Sequence, residues 1–293
     1  MIQKVLITGA AGQLGRELLR SVPEGVECIA ATREILDIAD AAQVRAFVRR
    51  ERPGLIINAA AYTAVDKAES EQELAAAINV NGAANLATAC AENGSRLIHV
   101  STDFVFDGTS STPYLPDAPT SPLGEYGRSK LAGEQAVVAG LPSALIMRTA
   151  WVYSAFGGNF VKTMLRLMAE REELSVVADQ VGTPTWARGL ADALWLAADQ
   201  SDLQGLYHWT DAGVCSWYDF AVAIAEEALE IGLLQRMPRI HPIPGSAYPT
   251  PAARPAFSVL DKNSTWAVLK TEGLHWRSQL RSMLKELKES SFE

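Results

Sequence analysis

Tyr126-Gly127-Arg128-Ser129-Lys130 sets a phenol and an ammonium at i and i+4, the spacing that puts two side chains on one face of a helix. An adjacent cation favours phenolate and would lower the tyrosine pKa from about 10 toward working pH, making Tyr126 a usable proton donor. The same lysine can lie beside a cofactor ribose. Upstream, Ser101-Thr102-Asp103 closes an apolar run, so a hydroxyl and a carboxylate stand at a strand end. Near the N-terminus, Thr8-Gly9-Ala10-Ala11-Gly12-Gln13-Leu14-Gly15 follows the first apolar run. Glycines there let the backbone turn tightly and approach a pyrophosphate, while the start of a helix supplies free N–H groups. Gly9, Gly12, Gln13, Leu14 and Gly15 are therefore read as a dinucleotide cradle.

An acidic residue about 20 positions on, at the end of the second strand, would favour NAD. Here the chain has Thr32-Arg33, and a guanidinium pairs with a 2′-phosphate. NADPH is the expected cofactor, with NADH also usable. Asp37-Ile38 is placed over the adenine, and Asn58-Ala59-Ala60-Ala61 ends the third strand in small residues that let backbone approach the cofactor. Ala60, Ala61, Tyr62 and Thr63 complete that edge.

These residues need a scaffold, and the apolar rhythm describes one. Short Val/Ile-rich runs at 4–7, 26–31, 55–59, 96–101, 144–148 and 174–177 alternate with amphipathic stretches at 14–21, 41–50, 72–92, 127–139 and 159–172. That is the pattern of an α/β, doubly wound parallel sheet of Rossmann type, and runs such as Leu55-Ile56-Ile57 suit a sheet covered on both faces. After about residue 178 the rhythm changes: helices at 186–199 and 217–232 flank a short strand at 205–210, a Pro-rich stretch spans 238–255, and a last helix starts near Arg277. The expected division is a cofactor-binding domain, 1–153, and a smaller C-terminal substrate lobe, 154–293, with strand 174–177 returning to the main sheet.

Length and composition agree. The 293 residues, 48% hydrophobic and 20% charged, with mean hydropathy +0.03, exclude a disordered chain. No apolar run approaches the roughly 18 residues of a spanning helix, and the first residues lack a leader-cleavage pattern, so a cytoplasmic protein without a membrane partner is expected. A net charge of -8 and pI near 5.2 argue against nucleic acid and favour a small molecule. Cys28, Cys90 and Cys215 and the four scattered histidines show no ligand spacing, so reduced thiols and no metal are expected.

Taken in order, the glycine turn, the NAAA segment, Ser-Thr after the fourth strand and YxxxK resemble the extended short-chain dehydrogenase/reductase superfamily. Further stretches resemble its dTDP-4-dehydrorhamnose reductase family: 102–108 (TDFVFDG), 148–153 (RTAWVY), 158–161 (GNFV), 179–185 (DQVGTPT) and Arg254-Pro255. The likeness spans essentially the whole chain. It implies reduction of the 4-keto group of a dTDP-sugar, dTDP-4-dehydro-L-rhamnose, by a reduced nicotinamide cofactor. On that analogy Tyr126 protonates the developing alkoxide, Thr102 holds its oxygen, Lys130 orients the ribose, Thr102 and Asp103 touch the sugar, and Trp151 packs beside it.

Related dehydratases carry an Asp-Glu pair after the strand-end Thr, whereas Asp103 is followed by Phe104, which argues against dehydration. Another keto-sugar reductase or epimerase, and a non-catalytic cofactor-binding regulatory subunit, remain as alternatives. Arg254, stiffened by Pro255, is the candidate for gripping a diphosphate, while Trp186, Trp195, Trp209 and Trp217 read as core. Some members of the family dimerise around magnesium held by three glutamates. Here Glu17 and Glu286 match the outer two places and Arg188 stands at the middle one. A guanidinium there removes an oxygen ligand, so a monomer or a metal-free homodimer is expected, with Arg188 pairing with Glu17 or solvated.

Overall fold

Alternate residues of each early strand bury themselves on opposite faces, which fixes the architecture. The computed structural model describes residues 4–290. On one side of the sheet, Val5, Ile7, Leu55 and Ile57 pack with Leu14, Leu18, Leu190 and Leu194. On the other, Leu6, Ile56 and Leu97 pack with Val44, Phe47 and Leu86. Helices therefore cover both faces, as a wholly parallel sheet requires.

The strands are β1 (Lys4–Thr8), β2 (Glu27–Ala31), β3 (Leu55–Asn58), β4 (Arg96–Thr102) and β5 (Leu145–Thr149), with Gly205–His208 as the sixth. Their order across the sheet is Gly205–His208, β5, β4, β3, β1, β2. Every pairing is parallel. The order reverses between β1 and β3, and such a switch point opens a crevice at the carboxyl ends of the strands.

Strand Glu173–Val177 does not return to this sheet, contrary to the expectation from its apolar run. It pairs in parallel with Arg239–Ile243. Unlike β3, buried along its whole length, it exposes Glu173 and Ser175 and turns Leu174 and Val176 inward. One apolar face suits it to the C-terminal core, where it meets Met164, Phe220 and Ile224. Gly205–His208 joins β5 instead, in register from Gly205 opposite Leu145 to His208 opposite Arg148.

The continuous helix Gln72–Asn93 is long and apolar enough to cross a membrane by length and composition alone, which the sequence expectation missed. Packing accounts for its apolarity: Ala83, Leu86, Ala87 and Cys90 are buried against the sheet. Its middle, Ala77–Gly82, is a π-helical turn. That turn carries Asn79, whose amide joins the Tyr62 backbone N–H and carbonyl to the Ser129 hydroxyl. Met1–Gln3, on which part of the leader reading rests, lie outside the described residues.

Candidate active site

A cleft of about 920 Å³ runs along the carboxyl ends of β1, β3, β4 and β5. Its floor begins at the glycine turn. Gly9 has φ +68°, and a Cβ on it would lie 2.7 Å from the Ala59 and Ala60 backbone. No side chain caps helix Gln13–Arg20, so its first-turn N–H groups are left for an anion. Gly9, Gly12, Gln13 and Leu14 line the cleft and Gly15 does not. A Cβ at Gly15 would sit 2.2 Å from the Gly9 carbonyl oxygen, so that glycine lets the helix close on the turn rather than touch a ligand.

At one end Arg33, Asp37 and Ile38 border the cleft. Arg33 is exposed and in no ion pair among the described residues. Asp37 is tied locally: its Oδ1 accepts from Ala39 N–H at 3.0 Å, and its own N–H donates to Gln43. Along the third-strand edge Ala60, Ala61, Tyr62 and Thr63 line the same wall. That edge is braced from below: Thr8 donates to Asn58 Oδ1 at 2.6 Å, and the Asn58 amide meets His99 Nδ1 at 2.9 Å. Burial and the Lys130 charge hold His99 well below its usual range, so the imidazole is neutral and accepts from Asn58.

Thr102 and Asp103 come from the end of β4, and Tyr126 and Lys130 from successive turns of helix Glu125–Gly140. All four border the cleft. Thr102 donates to Asp103 Oδ1 at 3.0 Å and accepts from Phe104 N–H at 3.2 Å. Asp103 is buried, and burial raises its pKa to about 6, with hydrogen bonds opposing the rise. Its Oδ2 is fully buried, and the Ser258 hydroxyl is among the hydrogen-bonding groups that lower the Asp103 pKa.

The phenol departs from the sequence expectation. Burial pushes Tyr126 up to about 12, the Thr102 hydroxyl pulls it down, and Asp103 adds to the rise. Lys130 is itself buried, which lowers its pKa to about 8, and its Nζ donates to the Val100 carbonyl at 2.7 Å. A weakly acidic phenol still suits the chemistry, since an alkoxide is a stronger base than a phenolate and takes its proton downhill.

Two borders come from elsewhere. Trp151, in a left-handed conformation at φ +47°, lines the cleft just after β5, with Trp217 and Phe160 beside it. Of the four tryptophans read as core, Trp195 and Trp209 are buried, whereas Trp217 reaches the cleft. Arg254 borders the cleft but is engaged: Nη2 and Nη1 donate to Asp66 at 2.8 and 3.0 Å. Neither Asp66 nor Trp217 stands in a sequence motif with catalytic spacing. Helical periodicity, which makes Trp217 look like core, is the signal that hid it.

The side chains at the three places matched to the family's glutamates have protein partners. Glu17 is buried and accepts from Ser154 at 2.6 Å. Arg20 pairs with both Glu17 and Glu286. Arg188 pairs with Asp192 at 3.3 Å rather than with Glu17, although its charge acts on Glu17. No metal-holding cluster occurs among the described residues.

Comparison with known proteins places the chain in a family. A family described as the RmlD substrate binding domain matches residues 3–289. The dTDP-4-dehydrorhamnose reductase of Salmonella typhimurium (strain LT2) is 42% identical over 291 residues, 97% of each chain. A probable dTDP-4,6-dihydroxy-2-methyloxan-3-one 4-ketoreductase of Streptomyces antibioticus is 43% identical, over 96% of this chain and 95% of that one. The structure of a dTDP-4-dehydrorhamnose reductase from Bacillus anthracis in complex with NADP superimposes with TM-score 0.91 at 38% identity, covering 98% of this chain and all of that one, 100%.

Proposed function

We propose that this chain, which belongs to the RmlD substrate binding domain family, reduces the 4-keto group of dTDP-4-dehydro-L-rhamnose to give dTDP-L-rhamnose, with NADPH as reductant. The observation that carries the reading is the meeting of Thr102, Tyr126 and Lys130 in the cleft that begins at an uncapped helix N-terminus. The residues fit a reduced nicotinamide dinucleotide: Gly9, Gly12 and Gln13 line the cleft at an uncapped helix N-terminus, and Arg33 offers a cation at the ribose end.

When bound, the dinucleotide would supply the hydride for the keto carbon. Tyr126 gives its phenolic proton to the oxygen that becomes an alkoxide, and Thr102 donates a hydrogen bond to that oxygen after turning from Asp103. Lys130 orients the ribose, and its charge stabilises the phenolate left behind. Asp103 accepts from a sugar hydroxyl, Trp151 packs beside the sugar, and Arg254 leaves Asp66 to grip the diphosphate. The protein acts as a monomer or metal-free homodimer in the cytoplasm, with neither nucleic acid nor membrane as partner, in keeping with its net charge of -8.

The 43% identity to the Streptomyces antibioticus ketoreductase favours a second reading, in which another dTDP-4-keto sugar is the substrate of the same site. Tyr126→Phe tests the chemistry common to both. It keeps NADPH affinity and loses about 10²–10⁴-fold in kcat, whereas near wild-type turnover would remove Tyr126 as the proton donor, and a wild-type chain that binds NADPH without any turnover would favour a regulatory subunit.

A further inference from the structure

The geometry points to Trp217 as a positioning residue that, by stacking on Trp151, holds that indole at the sugar end of the cleft. The inference rests on the reading above, in which Trp151 meets the sugar. Trp151 needs holding, because a left-handed backbone at φ +47° is unfavourable for any residue but glycine and persists only where its surroundings enforce it. The surroundings are specific. The Trp217 ring lies 3.5 Å from the Trp151 ring, centroid to centroid, and within 8° of parallel. Gly182 closes another side: a Cβ there would stand 2.7 Å from Trp151 Cε2.

Both restraints hang on one short ladder. Gly182 pairs with Cys215 and Val181 with Ser216 in an antiparallel register, and Trp217 follows directly. Ser216 and Asp219 form a capping box that starts helix Trp217–Glu230: Asp219 N–H donates to Ser216 Oγ at 3.1 Å, and Ser216 N–H donates to Asp219 Oδ2 at 2.9 Å. Phe160 braces the outer edge of Trp217 at 4.6 Å. The helix start thus fixes Trp217, Trp217 fixes Trp151, and Trp151 sets where the hexose lies relative to Tyr126.

Binding of dTDP-L-rhamnose, dTDP and NADPH to Trp217→Ala, Trp217→Phe, Trp151→Ala and the double alanine variant separates this role from general damage. Trp217→Ala weakens dTDP-L-rhamnose about threefold to tenfold, the worth of an aromatic pair. It leaves dTDP and NADPH within about twofold, and Trp217→Phe restores most of the loss. In the Trp151→Ala background the second substitution adds less than about twofold, because contacting residues are not additive. Trp217→Leu, which keeps apolar volume should the alanine variant fail to fold, loses the same sugar-selective affinity. Equal weakening of dTDP and dTDP-L-rhamnose, or full additivity with Trp151→Ala, would overturn the inference while leaving Trp151 at the sugar. A Trp151→Ala variant with unchanged affinity for dTDP-L-rhamnose would instead refute the reading beneath it, and the inference with it.

Discussion

Replacing Arg254 by alanine separates a diphosphate grip from a surface ion pair. The guanidinium holds Asp66 through two bonds at 2.8 and 3.0 Å and also donates to the Ala252 carbonyl at 3.1 Å. The pair is partly open, with side-chain exposures of 25% and 40%, so its worth is about 0.2–1 kcal/mol. A charge-assisted bond to phosphate is worth about 1.5–3 kcal/mol. Subtracting the broken Asp66 pair leaves roughly 1–2 kcal/mol, or about fivefold to thirtyfold in KM. A diphosphate grip remote from the keto carbon acts equally before and during hydride transfer, so kcat should stay within about twofold. Asp66→Asn sharpens the test. Its amide oxygen still accepts from Ala252 N–H, as Asp66 does at 3.2 Å, but the charge that competes for Arg254 is gone. That variant should lower KM by up to about fivefold, and the gain should shrink as salt screens the pair. Steady-state reduction of the dTDP-sugar at low and high salt reads both effects. An unchanged KM in Arg254→Ala, or a raised KM in Asp66→Asn, would refute the exchange of Asp66 for diphosphate.

Arg33→Ala should raise KM for NADPH much more than for NADH, and equal rises would show that Arg33 does not read the 2′-phosphate. Turnover should be unaffected by EDTA. Activity lost to EDTA and restored by magnesium, or a dimer that EDTA dissociates, would contradict the arrangement around Arg188. Burial raises Asp211 from its ordinary carboxylate range to about 8. Its stabilising contribution is thus complete below about pH 4, the unfolded pKa, and lost as pH rises toward 8. Asp211→Asn should match the wild-type unfolding free energy near pH 4 and exceed it increasingly up to pH 8, by an amount on the order of a few kcal/mol. A difference independent of pH would show that Asp211 ionises normally.

Local rules made the cofactor half of the site legible. The glycine turn, the small residues after β3 and the i, i+4 pair each follow from backbone geometry within a few residues, and the structure gathers them in one cleft. Side chains whose meaning depends on distant partners were not legible. Strand Glu173–Val177 looks like its predecessors, but its one-sided burial pairs it with Arg239–Ile243, some 60 residues on. Asp66 acquires significance only when Arg254 folds onto it, and Trp217 only when Trp151 lies flat against it. The direction of the Tyr126 shift also depends on tertiary structure, because burial of the phenol outweighs the Thr102 hydroxyl that lowers it.

The most direct test of the central claim is the oxidation of NADPH by the purified protein while dTDP-4-dehydro-L-rhamnose is generated in the cuvette, with the product sugar identified. Stoichiometric conversion to dTDP-L-rhamnose is the predicted result. No oxidation with this sugar, or a product of the opposite configuration at C4, would contradict it.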